Sequence, residues 1–170
     1  MAARPSYETS CFYRIDVEKV DRNSLVEKKS IPVIEADIVD EFSLFDSWED
    51  KYEYIIDMGK KLAPLSDEYK KDENKIKGCQ STVWMHSYAK DGRIYYEADS
   101  DAMIVKGLVS MLIRVFSGQP PQDVIEAPVK FIDDIGMTSH LAQTRSNGLR
   151  AMIKQMKLDA VVWNAKYSKQ

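Results

Sequence analysis

The sequence has few cysteines, with only Cys11 and Cys79 in 170 residues. Small secreted domains that depend on disulfides carry more of them, so the sequence gives little support for a disulfide framework. Neither cysteine belongs to a C-x-x-C pair or lies at zinc-ligand spacing from a histidine, and we expect no metal site. Sparse cysteine is typical of a reducing compartment, and we expect a cytoplasmic protein.

Long apolar runs and an excess of positive charge are also missing. No run approaches the roughly 20 apolar residues that span a bilayer, and the N-terminus has no apolar segment typical of a signal peptide. The formal net charge is −3, with 24 Lys and Arg against 27 Asp and Glu. A nucleic-acid groove needs clustered Lys and Arg. We therefore expect neither a membrane nor a nucleic acid as a partner.

What is present is the balance of a globular domain, with 44% apolar and 30% charged residues. The length suits one domain with a real core. Residues 1–33 lack clean periodicity, although 9–17 alternate as a strand would. We predict a weakly ordered N-terminal extension over 1–33, whose role the sequence leaves open, and one domain over 34–165.

Helical spacing of apolar residues predicts four main helices. They cover residues 35–44, the segment from an N-cap at Asp46 to about Lys61, residues 101–117, and a segment that begins at Thr144 or Ser146. Glu49 would complete a capping box with Asp46. Either Ser100 or Asp101 is expected to cap the third helix, and Gly118 to end it. Shorter helical segments are expected at 121–126 and 138–141.

Between the second and third helices the pattern changes to that of a β-hairpin over 82–98. Asp91-Gly92 suits a type I′ turn, because both central residues need positive φ. The two-residue loop fixes the register and places His86 opposite Glu97. Residues 129–132 are predicted to add a third strand. Helices before and after the antiparallel hairpin along the chain indicate an α+β fold, with a small sheet packed against several helices.

Cys79 is the candidate reactive residue, within the stretch 77–81. A lone cysteine is more often a small buried apolar residue than a nucleophile. However, Gly78 permits unusual backbone angles, and Gln80 and Ser81 are poor core residues. The pattern therefore indicates a thiol on a turn that enters a strand, where functional groups concentrate.

The chemistry open to Cys79 depends on its neighbours. Lys75 and Lys77 are near in sequence and could lower the pKa of the thiol, but strand geometry can turn them away. His86 would lie roughly 20 Å from the thiol along an extended strand, so a dyad with it is not expected. His140 could reach the thiol, which leaves open a cysteine-dependent hydrolase. A non-catalytic binding module with Cys79 in its core is the other alternative.

Two polar stretches stand at predicted helix starts. Residues 145–148 read either as a cap with a tolerated glycine or as an anion-facing helix N-terminus with Arg145 beside it. The acidic stretch 99–101 is better explained by capping and by interaction with the helix dipole than by a metal cluster.

The order and spacing of four stretches resemble the SufE family of sulfur-acceptor proteins, which includes the CsdE branch. The stretches are residues 48–56, 74–84, 99–108 and 140–153, and the most specific motif is Gly-Cys-Gln-Ser at 78–81, followed here by Val83-Trp84, a close variant of the family's Val-x-Trp. The resemblance covers about residues 36–160. Gln143-Thr144 stands where the family usually has Ser-Pro, a mild departure in the loop before Arg145.

The resemblance implies an α+β fold related to the IscU-type scaffold, with Cys79 at a loop tip as the acceptor of sulfane sulfur. It implies that the donor is a pyridoxal-phosphate-dependent cysteine desulfurase of the SufS or CsdA type, which the protein also stimulates. Sulfur would then pass to an iron–sulfur scaffold complex of the SufBCD type. The protein would be an accessory protein rather than an enzyme, without a cofactor of its own.

Further roles for individual residues are our own inferences from this resemblance. We expect Cys79 to be partly sheltered at rest and its loop to swing outward on docking, with Gly78 as one hinge. Arg145 would support the loop or favour an anionic sulfur, and Gln80 and Ser81 would support the site. Asp101 would contribute to the desulfurase interface.

Overall fold

A computed structural model describes residues 28–169. Its elements are α1 (Ile31–Ser43), α2 (Trp48–Lys60), two short 3-10 turns (Asp67–Tyr69 and Asp72–Asn74), β1 (Val83–Lys90), β2 (Arg93–Ser100), α3 (Met103–Phe116), α4 (Pro121–Glu126), α5 (Phe131–Asp134), α6 (Met137–His140) and α7 (Gln143–Ser168). The fold is α+β, as the sequence predicts. The predicted strand at 9–17 and most of the predicted extension lie outside the described residues, whereas 31–33 begin α1.

The two strands form an antiparallel hairpin with the predicted register. His86 lies opposite Glu97, and pairing runs from Val83 to the turn. Asp91 and Gly92 have φ values of 53° and 76°, as a type I′ turn requires. The turn chemistry and the alternation of side chains therefore agree, and each strand presents one apolar face.

The predicted third strand at 129–132 is wrong. Within residues 28–169 the sheet has two strands, and Phe131 instead begins the short helix α5. Val129 has a φ of 55°, which no strand residue adopts. A short apolar run cannot by itself distinguish a buried helical turn from a strand. The outer edge of β2 pairs instead with a loop, where Ile94 N donates to Gln119 O at 3.0 Å.

Several helix ends differ from the prediction by a few residues. The N-cap of α2 is Ser47 rather than Asp46, and its hydroxyl accepts from Asp50 N at 3.2 Å. Helix α3 begins after Ala102, so neither Ser100 nor Asp101 is its N-cap. Both side chains instead bind the backbone of Thr82. Local sequence cannot show when a tertiary partner competes for a polar group.

Other helix boundaries match or nearly match the prediction. Helix α4 covers Pro121–Glu126, and Gly118 follows α3 with a φ of 81°. Helix α7 begins at Gln143, one residue before the earlier of its two predicted starts. Helix α1 begins at Ile31, earlier than predicted, with Pro32 in its first turn, where a missing N–H costs nothing.

Helix α3 is the centre of the hydrophobic core. It packs against the inner face of the hairpin and against α1, α2 and α7. Its buried residues are Val105, Gly107, Leu108, Val109, Met111, Leu112, Val115 and Phe116. The hairpin contributes Val83, Met85, Ile94, Tyr96 and Ala98, all buried. Because two strands alone are barely stable, α3 is what makes the hairpin a persistent platform.

Two glycines allow α2 and α3 to cross at very short range. A Cβ atom added to Gly107 would lie 2.1 Å from the carbonyl oxygen of Ile55, and one added to Gly59 would lie 2.7 Å from Gly107 N. The backbones themselves are therefore in contact.

Helix α7 also packs against α3 and is the longest of the described elements, with 26 residues. Its fully buried residues end at Ala160, and Trp163 in the next turn still packs against the core and donates to the Ser87 hydroxyl at 3.2 Å. No helix formed by residues 28–169 is both long enough and apolar enough to cross a bilayer.

Replacing Gly107 by alanine is expected to reduce the free energy of unfolding by at least about 3 kcal/mol, because the new methyl group must displace helix backbone rather than a flexible side chain. Urea denaturation followed by circular dichroism measures this loss. Gly92→Ala is the matched control: it has open space but positive φ, so only about 1 kcal/mol of backbone strain is expected. Equal losses in both variants would contradict the close crossing.

Candidate functional site

Cys79 lies on a short loop between the second 3-10 turn and β1, as the sequence predicts. Gly78 precedes it with a φ of 93°, in the region that favours glycine. A Cβ atom at Gly78 would also come within 3.4 Å of the Ala151 side chain on α7. The chain thus turns sharply beside α7, and the thiol is carried on the outgoing arm of that turn.

Hydrogen bonds fix both ends of this thiol loop, residues 77–82. At its base, Ile76 N donates to Val83 O at 2.9 Å. At its C-terminal end, Thr82 N donates to the Asp101 carboxylate at 3.1 Å, and the Ser100 hydroxyl donates to Thr82 O at 2.8 Å. The ends are therefore anchored while the tip has few bonds. The structure places Asp101 as an exposed anchor of the loop, close to the start of α3.

The thiol lies half-buried in a cavity of about 250 Å³ between the loop, α3 and the start of α7. The cavity is lined by Cys79, Gln80, Ser81, Val105, Ala142, Thr144, Arg145, Gly148 and Met152. Cys79 Sγ lies 3.5 Å from the carbonyl oxygen of Gly148, to which the S–H group can donate weakly. A Cβ atom at Gly148 would lie 3.5 Å from the same sulfur, so any larger side chain there would crowd the thiol.

Burial raises the pKa of the Cys79 thiol above its ordinary value. A nearby cation would have the opposite effect, but Lys75 is paired with Asp72 at 2.8 Å. Lys77 is exposed and is not among the residues that line the cavity. At neutral pH the resting thiol is therefore protonated, which makes it a weak nucleophile until its surroundings change.

Arg145 is the cation that lines the cavity. It lies in the first turn of α7, is exposed, and forms no salt bridge with any other residue in the range 28–169. Its guanidinium group is thus available to an anion at the mouth of the cavity. Gln80 and Ser81 line the same cavity, whereas Gly78 shapes the loop without lining it.

Neither of the two histidines in the sequence lines the cavity. His86 stacks on Tyr69 with ring centroids 3.7 Å apart. His140 stacks on Trp48 at 4.0 Å, and its Nδ1 lies 2.9 Å from Gly136 O. Both imidazole rings have structural partners, so the hydrolase interpretation has no general base at the thiol. The position of Cys79 at a cavity also differs from the core position that a simple binding module would require.

Sequence reasoning missed the apolar wall and the floor of the cavity. Val105 and Met152 were assigned only to helices, and Thr144 only to a helix start. The sequence offers two interpretations of Gly148, a tolerated glycine behind a helix cap or part of an anion-facing helix N-terminus, and neither places it against the thiol. The spacing of Thr144, Gly148 and Met152 is the signal that could have placed Gly148 in the cavity lining, because residues four apart lie on one face of α7.

No three His, Cys, Asp or Glu side chains in the described part of the chain are grouped so that they could hold a metal ion. The acidic stretch 99–101 instead binds lysines and backbone. Burial opposes ionisation of Asp99, but the hydrogen bond from Ser100 N at 2.8 Å, with Lys70 at 3.1 Å and Lys106 at 3.2 Å, keeps the pKa of its carboxyl group below the ordinary value. The thiol is therefore the reactive group that this site offers.

Comparison with known proteins supports the fold and identifies the family. A solution structure of a hypothetical protein from Thermus thermophilus has the same fold, with a TM-score of 0.63 at 18% identity, covering 75% of this chain and 93% of the other. A SufE-like protein of Rhizobium meliloti is 39% identical over 129 residues, which are 72% of this chain and 91% of the relative.

A second SufE-like protein, from Rhizobium etli, is 38% identical over 130 residues, which are 74% of this chain and 88% of the relative. The profile of the SufE family, described as an Fe-S metabolism associated domain, matches residues 36–160. That range contains the thiol loop, the wall formed by α3 and the start of α7. The chain therefore belongs to the SufE family, with a role in sulfur transfer within iron–sulfur metabolism.

Proposed function

We propose that the protein accepts sulfane sulfur on Cys79 from the persulfide of a pyridoxal-phosphate-dependent cysteine desulfurase, stimulates that enzyme, and passes the sulfur to an iron–sulfur scaffold complex. It acts as an accessory protein, and the reaction that releases sulfur belongs to the desulfurase. The observation that carries the proposal is the half-buried thiol of Cys79, held by a loop with anchored ends in a cavity that neither histidine lines.

The transfer step is thiolate attack on sulfur. The Cys79 thiol first loses its proton to solvent. Its sulfur then bonds to the outer sulfur of the donor persulfide as the donor's S–S bond breaks. The donor cysteine leaves as a thiolate and takes up a proton. One sulfur atom has moved, with no net oxidation or reduction, so the step needs neither a metal nor a second cysteine on this chain.

The resting site favours storage over reaction. Burial keeps Cys79 protonated, and contact with Gly148 limits the approach of other molecules. Docking of the donor moves the tip of the loop outward, away from α7, with Gly78 as the flexible point. Once outside the cavity, the thiol loses the desolvation that raises its pKa. Reactivity is thereby coupled to the presence of a partner.

Incubation with a cysteine desulfurase, cysteine and pyridoxal phosphate is expected to add one sulfur atom to Cys79. Intact mass spectrometry measures the addition, and a reductant should reverse it. Cys79→Ser should gain no sulfur, yet unfold at an unchanged urea midpoint because the half-buried thiol contributes little to the core. Cys11→Ser is the matched control and should gain sulfur as the wild type does. A wild type that neither gains sulfur nor stimulates the enzyme would refute the proposal.

The pH dependence of alkylation tests the resting state. In a Cys11→Ser background only the Cys79 thiol remains to react with iodoacetamide. Because burial disfavours the thiolate, the native protein should reach its half-maximal rate at a higher pH than the same protein in concentrated urea. Addition of the desulfurase should move the native midpoint down. A native midpoint at or below the urea value would contradict a sheltered thiol.

Arg145→Met is expected to slow sulfur transfer to Cys79 about two- to fivefold, the effect of losing one solvent-exposed charge interaction. Single-turnover transfer from a pre-loaded desulfurase measures it. Arg150→Met is the matched control, since Arg150 is also exposed on α7 but does not line the thiol cavity. Equal rates in the two variants would remove Arg145 from the mechanism while leaving Cys79 in place.

A further inference from the structure

A second and larger concavity lies away from the thiol. It is a groove of about 530 Å³ between α7 and the segment 128–141, within the size range of ligand sites. Its apolar lining includes Val129, Ile132, Leu149, Ile153, Leu158 and Val161. We call this feature the α7 groove. None of the residues of the thiol cavity is part of it.

The floor of the α7 groove is incompletely covered. Leu158 is 48% exposed and Val161 is 49% exposed, and the adjacent Val162 is 52% exposed. Single exposed apolar residues are common, but a group of them beside a concave apolar surface is typical of an interaction site. The last turns of α7 therefore present an apolar surface that a partner could cover.

The rim of the groove is basic although the protein as a whole carries a charge of −3. Arg150 and Lys154 are exposed, one helical turn apart, and form no salt bridge within residues 28–169. Lys157 adds a third positive charge, but it also donates to a backbone carbonyl and so serves the fold. Asp133 on the opposite wall is acidic, and its carboxylate accepts from the Thr138 hydroxyl at 2.6 Å. An occupant with acidic groups beside an apolar face would complement the α7 side of this rim.

The groove is straight because it follows a helix. From Leu149 to Val161 it runs for about 18 Å along α7, the length of roughly three turns of a second helix. Apolar anchors on one face of such a helix would meet the floor, and acidic residues beside them would meet Arg150 and Lys154. We propose that the α7 groove binds an acidic amphipathic helix of a partner protein.

The wall opposite α7 contains a strained residue. Val129 follows Pro128 and has a φ of 55°, which is rare for a β-branched side chain. Strained backbone of this kind is found preferentially at ligand-binding positions, where the surrounding structure holds it. Val129 lines the groove while its side chain also packs against the edge of the core, which holds it in place.

The groove and the thiol cavity use different faces of α7. Thr144, Gly148 and Met152 face the thiol, whereas Leu149 and Arg150 lie about 100° and 200° round the helix axis from Gly148. A helix bound in the groove would therefore leave Cys79 accessible. The protein could be held by one partner while its thiol reacts with another.

The probe for this inference is a fluorescein-labelled peptide of about 16 residues, with Leu at helical spacing on one face and Glu beside it. Fluorescence anisotropy with the full chain should show saturable binding that weakens as salt rises, because the rim contacts are screened. The same peptide with Lys in place of Glu should not bind. The rate of Cys79 alkylation should be unchanged by saturating peptide.

Two variants locate the bound peptide. The double change Arg150→Glu with Lys154→Glu is expected to weaken binding at least tenfold, and Leu158→Gln to weaken it several-fold. All three positions are exposed, so circular dichroism should show a native fold. Lys169→Glu is the matched control, because it also reverses a charge on an exposed lysine at the end of α7, outside the groove.

Several outcomes would overturn the inference. The first is the absence of saturable peptide binding. The second is a loss of peptide affinity in Lys169→Glu equal to that in the Arg150→Glu, Lys154→Glu double variant. The third is slower alkylation of Cys79 when the peptide is bound. Sedimentation velocity tests a rival occupant: a concentration-dependent dimer that Leu158→Gln abolishes would assign the groove to a second copy of the chain. Binding to anionic lipid vesicles that depends on Arg150 and Lys154, without peptide binding, would assign it to a lipid surface. None of these readouts requires that Cys79 carry sulfur.

Discussion

The contact between the backbones of α2 and α3 determines where the other elements can lie. Because Gly59 and Gly107 have no side chains, α3 approaches α2 closely enough to occupy the centre of the domain. From that position its apolar residues cover the inner face of the hairpin, and its start provides Asp101 to anchor the thiol loop. Val105, two residues before Gly107, forms part of the cavity wall. One helix crossing thus positions both the sheet and the site.

The parts of the fold that depend on local chemistry could be predicted from the sequence. Asp91-Gly92 specified the hairpin and its register, because few residue pairs adopt positive φ at both turn positions. The thiol on a turn followed from Gly78 and from the polar residues after Cys79. The predicted strand at 129–132 failed because so short a segment, three apolar residues and Lys130, carries no clear periodicity, and only the positive φ of Val129 distinguishes the observed path.

The parts that depend on distant residues could not be predicted. Ser100 and Asp101 have the side chains of N-caps, yet both bind Thr82, which is far from them in sequence. Gly148 contacts Cys79 across 69 positions, and the four-residue spacing around Gly148 marks a helix face without indicating which distant residue it meets. The raised pKa of the thiol follows from its burial between the loop and the helices, which only the assembled fold reveals.

Anchoring of the thiol loop at both ends limits how far its tip can travel. Ile76 and Val83 are hydrogen-bonded to each other, and the chain between them has seven Cα–Cα steps. Even fully extended, a segment of that length folded back on itself carries its midpoint only about 12 Å from the base. Cys79 can therefore move only a short distance from the base of the loop. Under the proposed function, a sulfur donor must therefore bring its persulfide almost to the surface of this domain. A donor with a deep active site would have to extend its own cysteine to meet Cys79.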